Sequence, residues 1–244
     1  MSIVYNEELS KNYNSFHFRN KFQIDIIKFL LNIKKEDRIL DVGCGSGRLL
    51  KEFNRQGYYV DGVEYSENMF NELNSVDYQQ PKPSLYHDDY NNFVSQTELN
   101  CDSVYFSYSL HQISPNKETQ INLLKKTFEN LKCKRILLIT SSEMQFNESI
   151  LNKNSKKLNE IDHSRFLFKN ELEKHFNVTY YLEETIYNKI DKNDLLNLID
   201  NKYISTLQLL DHKEFNELKN NIEQNYDQII NYPDYYTYIL LEDQ

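Results

Sequence analysis

The chain has 244 residues, of which 39% are hydrophobic and 27% charged, and its formal net charge is −9. This composition is that of a globular protein and excludes the disordered and fibrous classes. The acidic balance argues against a non-specific nucleic-acid binder, because phosphate backbones recruit a clustered excess of Lys and Arg. The length suits one large α/β domain, and nothing in the composition demands two.

The cysteines and the N-terminal residues constrain the expected location and metal content. Cys44, Cys101 and Cys133 are far apart in sequence and form no C-x-x-C pair, so we predict neither a metal site nor a disulfide framework. The first residues lack a signal-peptide pattern, and no apolar run reaches the roughly 20 residues that span a bilayer. We therefore expect a cytoplasmic protein with no membrane or nucleic-acid partner, and the oligomeric state stays open.

Short apolar runs alternate with helical patterns through the first 145 residues. The predicted elements are a short N-terminal helix, a packed helix around 22–30, strand 38–43, helix 48–56, strand 58–64, helix 66–74, strand 85–88, strand 103–109, helix 117–131 and strand 135–140. Nearly continuous apolar strands that alternate with helices indicate a parallel sheet covered on both faces.

The regularity changes after residue 142, where a polar stretch begins. The predicted elements here are a helix near 169–176, a strand at 178–184, helices between 192 and about 230, and a last strand at 235–241. Two late strands separated by helices suggest an antiparallel pair at one edge of the sheet that carries a helical cap.

The most informative segment joins the strand at 38–43 to the helix that begins at Arg48, and it contains Gly43, Gly45 and Gly47. Glycines let the main chain approach a ligand closely, and a helix N-terminus presents unpaired N–H groups to a carboxylate or phosphate. The dinucleotide fingerprint G-x-G-x-x-G would require a third glycine where this chain has Arg48.

Together with Asp41, these glycines complete a D-x-G-x-G-x-G pattern. The pattern resembles the first motif of the class I S-adenosylmethionine-dependent methyltransferases, in which this loop, here including Cys44, wraps the methionine part of the cofactor. The resemblance covers about residues 36 to 145. It implies an α/β Rossmann-like fold with a mostly parallel seven-stranded sheet, an antiparallel last strand and a helical cap.

An acidic residue, Glu64, ends the second strand about twenty residues after the glycine loop. A carboxylate there can accept both hydroxyl hydrogens of a ribose, so we predict that Glu64 binds the cofactor. The alternative is an ordinary acid that precedes a helix. The resemblance places Tyr65 beside the nucleoside and Met69 near the adenine.

The third and fourth strands end in further candidate residues. The family usually has Gly-Asp after the third strand, with the Asp accepting a hydrogen bond from the adenine. Asp88 aligns with that position, His87 replaces the Gly, and Asp89 is the alternative acid. Phe106 and Ser107 would lie at the carboxyl end of the fourth strand, where open α/β sheets bind ligands.

His111 follows the fourth strand, and the resemblance places it near the transferred methyl group. A hydroxyl or amine acceptor needs a base, and an imidazole with its ordinary pKa of about 6.5 suits that role. A carboxylate acceptor would need no base. The alternative role for His111 is to order the loop after the strand.

The remaining candidates lie outside the motifs. Tyr13 is similar to a family tyrosine that closes over the cofactor, although packing of the lid would also explain it. Arg19, His163 and Arg165 are candidate substrate contacts, with solvent-exposed or structural roles as the alternatives. The C-terminal third is weakly similar to methyltransferases of the trans-aconitate type.

We therefore expect a single methyltransferase domain over 1–244, with an N-terminal helical lid at 1–35, a cofactor-binding core at 36–145, and C-terminal strands at 146–244 with a cap at about 190–231. Its predicted reaction transfers a methyl group from S-adenosylmethionine to an oxygen, nitrogen or carboxylate nucleophile of a small molecule and releases S-adenosylhomocysteine. A methyltransferase-like protein without turnover and a nicotinamide-dependent oxidoreductase are the alternatives.

Overall fold

A seven-stranded sheet organises the chain in a computed structural model, which describes residues 20–141, 149–201 and 205–243. The strands are β1 Arg38–Val42, β2 Tyr59–Glu64, β3 Leu85–His87, β4 Ser103–Ser107, β5 Arg135–Thr140, β6 Asn177–Asp191 and β7 Ile229–Glu242. Their order is β3-β2-β1-β4-β5-β7-β6, and β7 runs antiparallel to both of its neighbours, whereas β1 to β5 are parallel. The predicted Rossmann-like sheet with an antiparallel last strand is confirmed.

Helices connect the strands and cover the sheet. They are α1 Asn20–Leu31, α2 Arg48–Arg55, α3 Glu67–Asn74, α4 Tyr90–Gln96, α5 Leu110–Ile113, α6 Lys117–Leu131, α7 Ile150–Asn154, α8 Lys156–Arg165, α9 Lys169–Leu172, α10 Lys192–Asp200, a 3-10 helix Ser205–Leu209 and α11 His212–Asn225. Polar side chains fix several of their starts. Asn116, for example, accepts hydrogen bonds from two N–H groups in the first turn of α6 that would otherwise be left unpaired.

The side chains of the parallel strands alternate between two cores. On β4, Val104 and Phe106 pack into the cluster under α6, whereas Tyr105 between them packs with α1 and α2 on the opposite face. All three are at most 1% exposed. Both faces of the central strands are therefore buried, which explains their continuous apolar sequences.

A third core lies between the outer parts of β6 and β7 and the helices α7, α8, α10 and α11. Its fully buried members include Leu158, Ile199, Leu218 and Ile222. These helices form the cap. The inserted ones lie between the end of β6 at Asp191 and the start of β7 at Ile229.

Several elements differ from the sequence-based expectations. The last two strands are about twice as long as predicted, because their pairing continues from Asn177↔Glu242 to Asp191↔Ile229. The helices α4, α5, α7 and α8 were not predicted, and α9 ends at Leu172 instead of reaching 176. In the part of the chain that the structure describes, no helix combines the length and the apolar character that a membrane crossing requires.

Candidate active site

The carboxyl ends of β1, β2 and β4 bring the predicted motifs together at one edge of the sheet. The last residue of β1, Val42, is in register with Val63 on one side and Phe106 on the other. The glycine loop, Glu64 and Ser107 follow these positions directly, so residues from three separate sequence regions meet. This edge is where parallel α/β sheets bind ligands.

The glycine loop has a backbone that only glycine adopts readily. The φ angles of Gly43, Gly45 and Gly47 are 67°, 58° and 83°, in the left-handed region. A Cβ atom at Gly43 would lie 2.5 Å from the Cβ atom of Ser109, whereas a Cβ atom at Gly45 would meet nothing within 4 Å. The first glycine is thus required by packing, and the second faces open space beside the loop.

The carboxylate of Glu64 holds this loop. One oxygen accepts a hydrogen bond of 2.8 Å from the N–H of Gly45, and the other accepts one of 2.7 Å from the N–H of Ser66. Burial raises the pKa of Glu64, and these N–H donors act in the opposite direction. Each carboxylate oxygen can accept a further hydrogen bond, so the group can serve the loop and a pair of ribose hydroxyls together.

Asp41 lies behind the loop and is only 2% exposed. Burial raises the pKa of its carboxyl to about 7, while the Tyr105 hydroxyl and the charge of Arg48 favour the ionised form. The Tyr105 hydroxyl is buried and has no hydrogen-bond partner at normal distance among the described residues. Arg48 in turn donates a 2.6 Å hydrogen bond to Gln23 on α1. A polar cluster therefore underlies the loop.

The residues predicted around the nucleoside lie on both sides of Glu64. Tyr65 is 71% exposed and Met69 is buried. His87 stacks on Phe70 with 4.7 Å between ring centroids, and its Nε2 is 3.1 Å from the carbonyl oxygen of Tyr65. Since His87 is the last residue of β3, its extended backbone does not require the glycine that the family usually has.

The two candidate acids after β3 differ in their roles. The main-chain N–H of Asp88 donates to the carbonyl of Glu64 at 3.2 Å, which ties the ends of β2 and β3 together. The side chain of Asp89 accepts a hydrogen bond from the N–H of Asn91 and caps α4. Asp89 therefore has a structural task, and Asp88 remains the predicted adenine contact.

The loop after β4 is folded back against the glycine loop. The Ser109 hydroxyl donates to the carbonyl of Val42, and the Tyr108 hydroxyl donates to the carbonyl of Tyr235 at 3.0 Å. Phe106 is buried and Ser107 half-buried at the start of this turn. The end of β4 is thus connected to β1 and to β7.

His111 lies in the interior and is 6% exposed. Its ring stacks on Phe166 with 4.0 Å between centroids. Burial, with a smaller contribution from the charge of Arg165, lowers the pKa of His111 to about 3. A small cavity at the carboxyl ends of β4 and β5 is bordered by these rings, Tyr108 and Thr140. The imidazole is neutral at pH 7, and its catalytic role stays a prediction.

The predicted substrate contacts occupy different environments. Arg165 is 8% exposed and donates to the carbonyl of His111 at 2.9 Å, and His163 is half-buried with its ring edge-on to Phe168. Tyr13 and Arg19 lie outside the described residues. Sequence reasoning missed Tyr105 and Gln120, since neither belongs to a motif. Within residues 20–141, 149–201 and 205–243, no cluster of His, Cys, Asp and Glu could hold a metal ion.

Comparisons with known proteins identify a methyltransferase domain, in agreement with the motifs described above. A family model described as a methyltransferase domain matches residues 15–199. The plantazolicin methyltransferase BpumL, solved with SAH, is 17% identical, with a TM-score of 0.55 over 97% of this chain and 90% of its own. The YcgJ protein from Bacillus subtilis is 14% identical (TM-score 0.60, 92% and 99% covered). Magnesium protoporphyrin IX methyltransferase from Synechocystis PCC 6803, solved with SAM, is 12% identical (TM-score 0.52, 92% and 79% covered).

At these identities the structural likeness establishes the fold. The search of curated proteins gives no match.

Proposed function

Because the chain belongs to the methyltransferase-domain family, we propose that it transfers the methyl group of S-adenosylmethionine to an oxygen, nitrogen or carboxylate nucleophile of a small molecule. The observation that carries this proposal is the hydrogen bond between Glu64 and the N–H of Gly45. It joins the two groups that the family uses for adjacent parts of the cofactor, the ribose and the methionine.

The residues at the site fit this cofactor in charge as well as in shape. Gly45 faces open space, which allows the methionine chain to approach the main chain of the loop. Asp41 and the Tyr105 hydroxyl are buried beneath the loop, and the α-ammonium group of the cofactor would favour the ionised form of Asp41, which complements it. Glu64 would bind the ribose hydroxyls, and Met69, Asp88 and Tyr65 would border the adenine.

S-adenosylmethionine, when bound, supplies a methyl group on a positively charged sulfur. The task of this chain is then to align the acceptor with that methyl group and to exclude water, a form of positioning worth several kcal/mol of barrier. Phe106 and the loop after β4 would form a rigid wall at one end of the cofactor site, because Tyr108 and Ser109 donate hydrogen bonds to neighbouring strands. The acceptor would enter from the side of the cap.

A small-molecule acceptor is supported by the structural neighbours and by charge. The neighbours include enzymes that act on plantazolicin and on magnesium protoporphyrin IX. The net charge of −9 disfavours nucleic acid as a substrate. In this proposal the core predicted at 36–145 holds the cofactor, and the lid and the C-terminal cap select the acceptor.

Calorimetric titration of the purified chain with S-adenosylmethionine, S-adenosylhomocysteine and NADH tests the proposal. We expect micromolar affinity for both sulfur nucleosides and no heat with NADH. Glu64→Ala should weaken the nucleosides at least about tenfold, since charge-assisted hydrogen bonds contribute about 1.5–3 kcal/mol. Glu129→Ala removes an exposed carboxylate on α6 and is the matched control.

The possible results lead to different conclusions. If both nucleosides bind and only Glu64→Ala weakens them, a screen of small acceptors follows. Binding of NADH instead would support an oxidoreductase. Failure of the wild-type chain to bind either nucleoside would refute the cofactor assignment.

A further inference from the structure

A buried arginine holds the main chain behind the small cavity at the carboxyl ends of β4 and β5. Arg165 is the last residue of α8 and is 8% exposed, and its Nη2 donates a 2.9 Å hydrogen bond to the carbonyl of His111. A hydrogen bond from a charged donor is roughly twice as strong as a neutral one. The contact joins two segments that are 54 residues apart in the sequence.

A second side chain completes the attachment. Gln120 on α6 is 1% exposed, and its amide nitrogen is 2.6 Å from both the carbonyl of Ser114 and the carbonyl of Arg165. The segment 111–114 is therefore held at its first residue by a guanidinium and at its last by an amide. Because Gln120 also bonds to Arg165, the three elements α5, α6 and α8 share one connected network.

The same segment forms a wall of the cavity. The ring of His111 stacks on Phe166, which directly follows Arg165, and both rings border the cavity at the carboxyl ends of β4 and β5. Any shift of the main chain at His111 would move this ring. The position of the wall therefore depends on the contact with Arg165.

The helix that carries Arg165 is itself part of the cap. Leu158, two turns earlier on α8, is 1% exposed in the cap core, and Asp162 lies one turn before Arg165 with its carboxylate held by Asn152 at 3.1 Å. Burying an arginine and an aspartate costs desolvation energy that an apolar pair would avoid. Packing alone does not account for them, whereas a fixed link between cap and cavity does.

We propose that Arg165 is a positioning residue, which fixes the segment 111–114 and so sets the wall against which the acceptor is held, with α8 transmitting the position of the cap to that wall. The inference rests on the proposed function only in naming the cavity as the acceptor site. Arg165 itself touches the carbonyl of His111 and acts through it.

Two variants of the arginine and one matched control test this role. Arg165→Met removes the donor and the charge, and Arg165→Lys keeps the charge and one donor. Arg55→Met removes an arginine whose side chain is 63% exposed on α2. For each protein, amide hydrogen exchange of a peptide covering 108–116, the imidazole titration of His111 by NMR and the affinity for S-adenosylhomocysteine are measured.

In Arg165→Met we expect exchange in 108–116 to accelerate about tenfold or more, as for a segment that loses a charged hydrogen bond. The imidazole of His111, whose pKa burial and then the charge of Arg165 lower to about 3, should titrate at higher pH as water reaches it. Arg165→Lys should recover most of both effects, and Arg55→Met should match the wild type. If Arg165→Met does not fold, Arg165→Lys with Gln120→Met repeats the comparison.

Unchanged exchange and unchanged titration of His111 in a folded Arg165→Met protein would overturn the proposal. Affinity for S-adenosylhomocysteine should change much less than the exchange rate in these variants, because Arg165 reaches the glycine loop indirectly, through the segment that contains Ile113, whose side chain lies beside Gly43. Loss of nucleoside binding by the wild type would refute the proposed function instead, and the two failures are therefore distinguishable.

Discussion

Replacement of Asp41 by asparagine should alter how the stability of the protein depends on pH. Burial raises the pKa of this carboxyl from 3.8 to about 7. Between these values the folded chain keeps a proton that the unfolded chain has released. The contribution of this protonation to the stability of the folded state is therefore fully present below about pH 4 and is lost as the pH rises through 7.

The size of the effect follows from the shift. About three pKa units correspond to at most about 4 kcal/mol, or about 1.4 kcal/mol for each pH unit. The amide of the variant cannot ionise, so the free energy of unfolding of Asp41→Asn minus that of the wild type should increase from pH 4 to pH 7. In this difference, the pH-dependent contributions of titrating groups that both proteins share, including His111 and Asp162, cancel.

Urea unfolding followed by circular dichroism at pH 4.5, 5.5, 6.5 and 7.5 measures this difference. Asp77→Asn is the control, because it makes the same chemical change at an exposed position and should give parallel curves. Parallel curves for Asp41→Asn as well would refute the reasoning. They would mean that Asp41 is ionised throughout and acts as a permanent charge partner of Arg48.

Three other predictions concern the loop, the cap and the cavity. Gly43→Ala should cost about 3 kcal/mol of stability and abolish nucleoside binding, because its Cβ would meet Ser109 at 2.5 Å, whereas Gly45→Ala should cost only the left-handed strain of about 1–2 kcal/mol; equal losses in thermal unfolding would contradict this. Leu218→Ala in the cap should lower the unfolding free energy by about 2–5 kcal/mol and leave calorimetric affinity for S-adenosylhomocysteine within about twofold; loss of affinity would show that cap and cofactor site are inseparable. His111→Phe should have the opposite pH effect to Asp41→Asn, since a lowered histidine pKa gives stability that is lost as the pH falls from about 6.5 towards 3. In urea unfolding, the free energy of unfolding of the variant minus that of the wild type should therefore decrease as the pH rises; a constant difference would contradict this.

The geometry of the glycine loop could be predicted because local sequence determines it. The glycines at 43, 45 and 47 are the residues that a left-handed loop requires, and the structure has φ values of 58–83° there. Glu64 ends β2, which is parallel to β1 and in register with it, so the carboxyl ends of the two strands lie side by side. The hydrogen bond between Glu64 and Gly45, 19 residues apart, therefore follows from the strand pattern.

Only about half of the long β6–β7 strand pair was predicted. The inner parts of β6 and β7 carry an apolar alternation, but the outer pairs, such as Asn188↔Tyr232 and Lys189↔Asn231, are polar and resemble loop sequence. These segments form strands because they pair with each other across about 40 residues of sequence. A local sequence pattern does not show which distant segment will pair with it.

The contacts around His111 could not be predicted, for a related reason. Helix α8 has the sequence KKLNEIDHSR, in which two apolar residues give a weak helical period, and its position comes from packing against the other helices of the cap. The contacts of Arg165 with His111 and of Gln120 with Ser114 and Arg165 join residues from three helices. None of these pairs could be identified before the helices were placed.

The surroundings of His111 bear on which acceptors the proposed reaction could use. The ring of His111 lies against Phe166 with a pKa of about 3, and a group so weakly basic has little driving force to take a proton from an alcohol near neutral pH. An acceptor that already presents a lone pair, such as a carboxylate or an unprotonated amine, needs no such base. Within the proposed class we therefore expect an acceptor of this kind, with His111 serving as a fixed aromatic wall and not as a base.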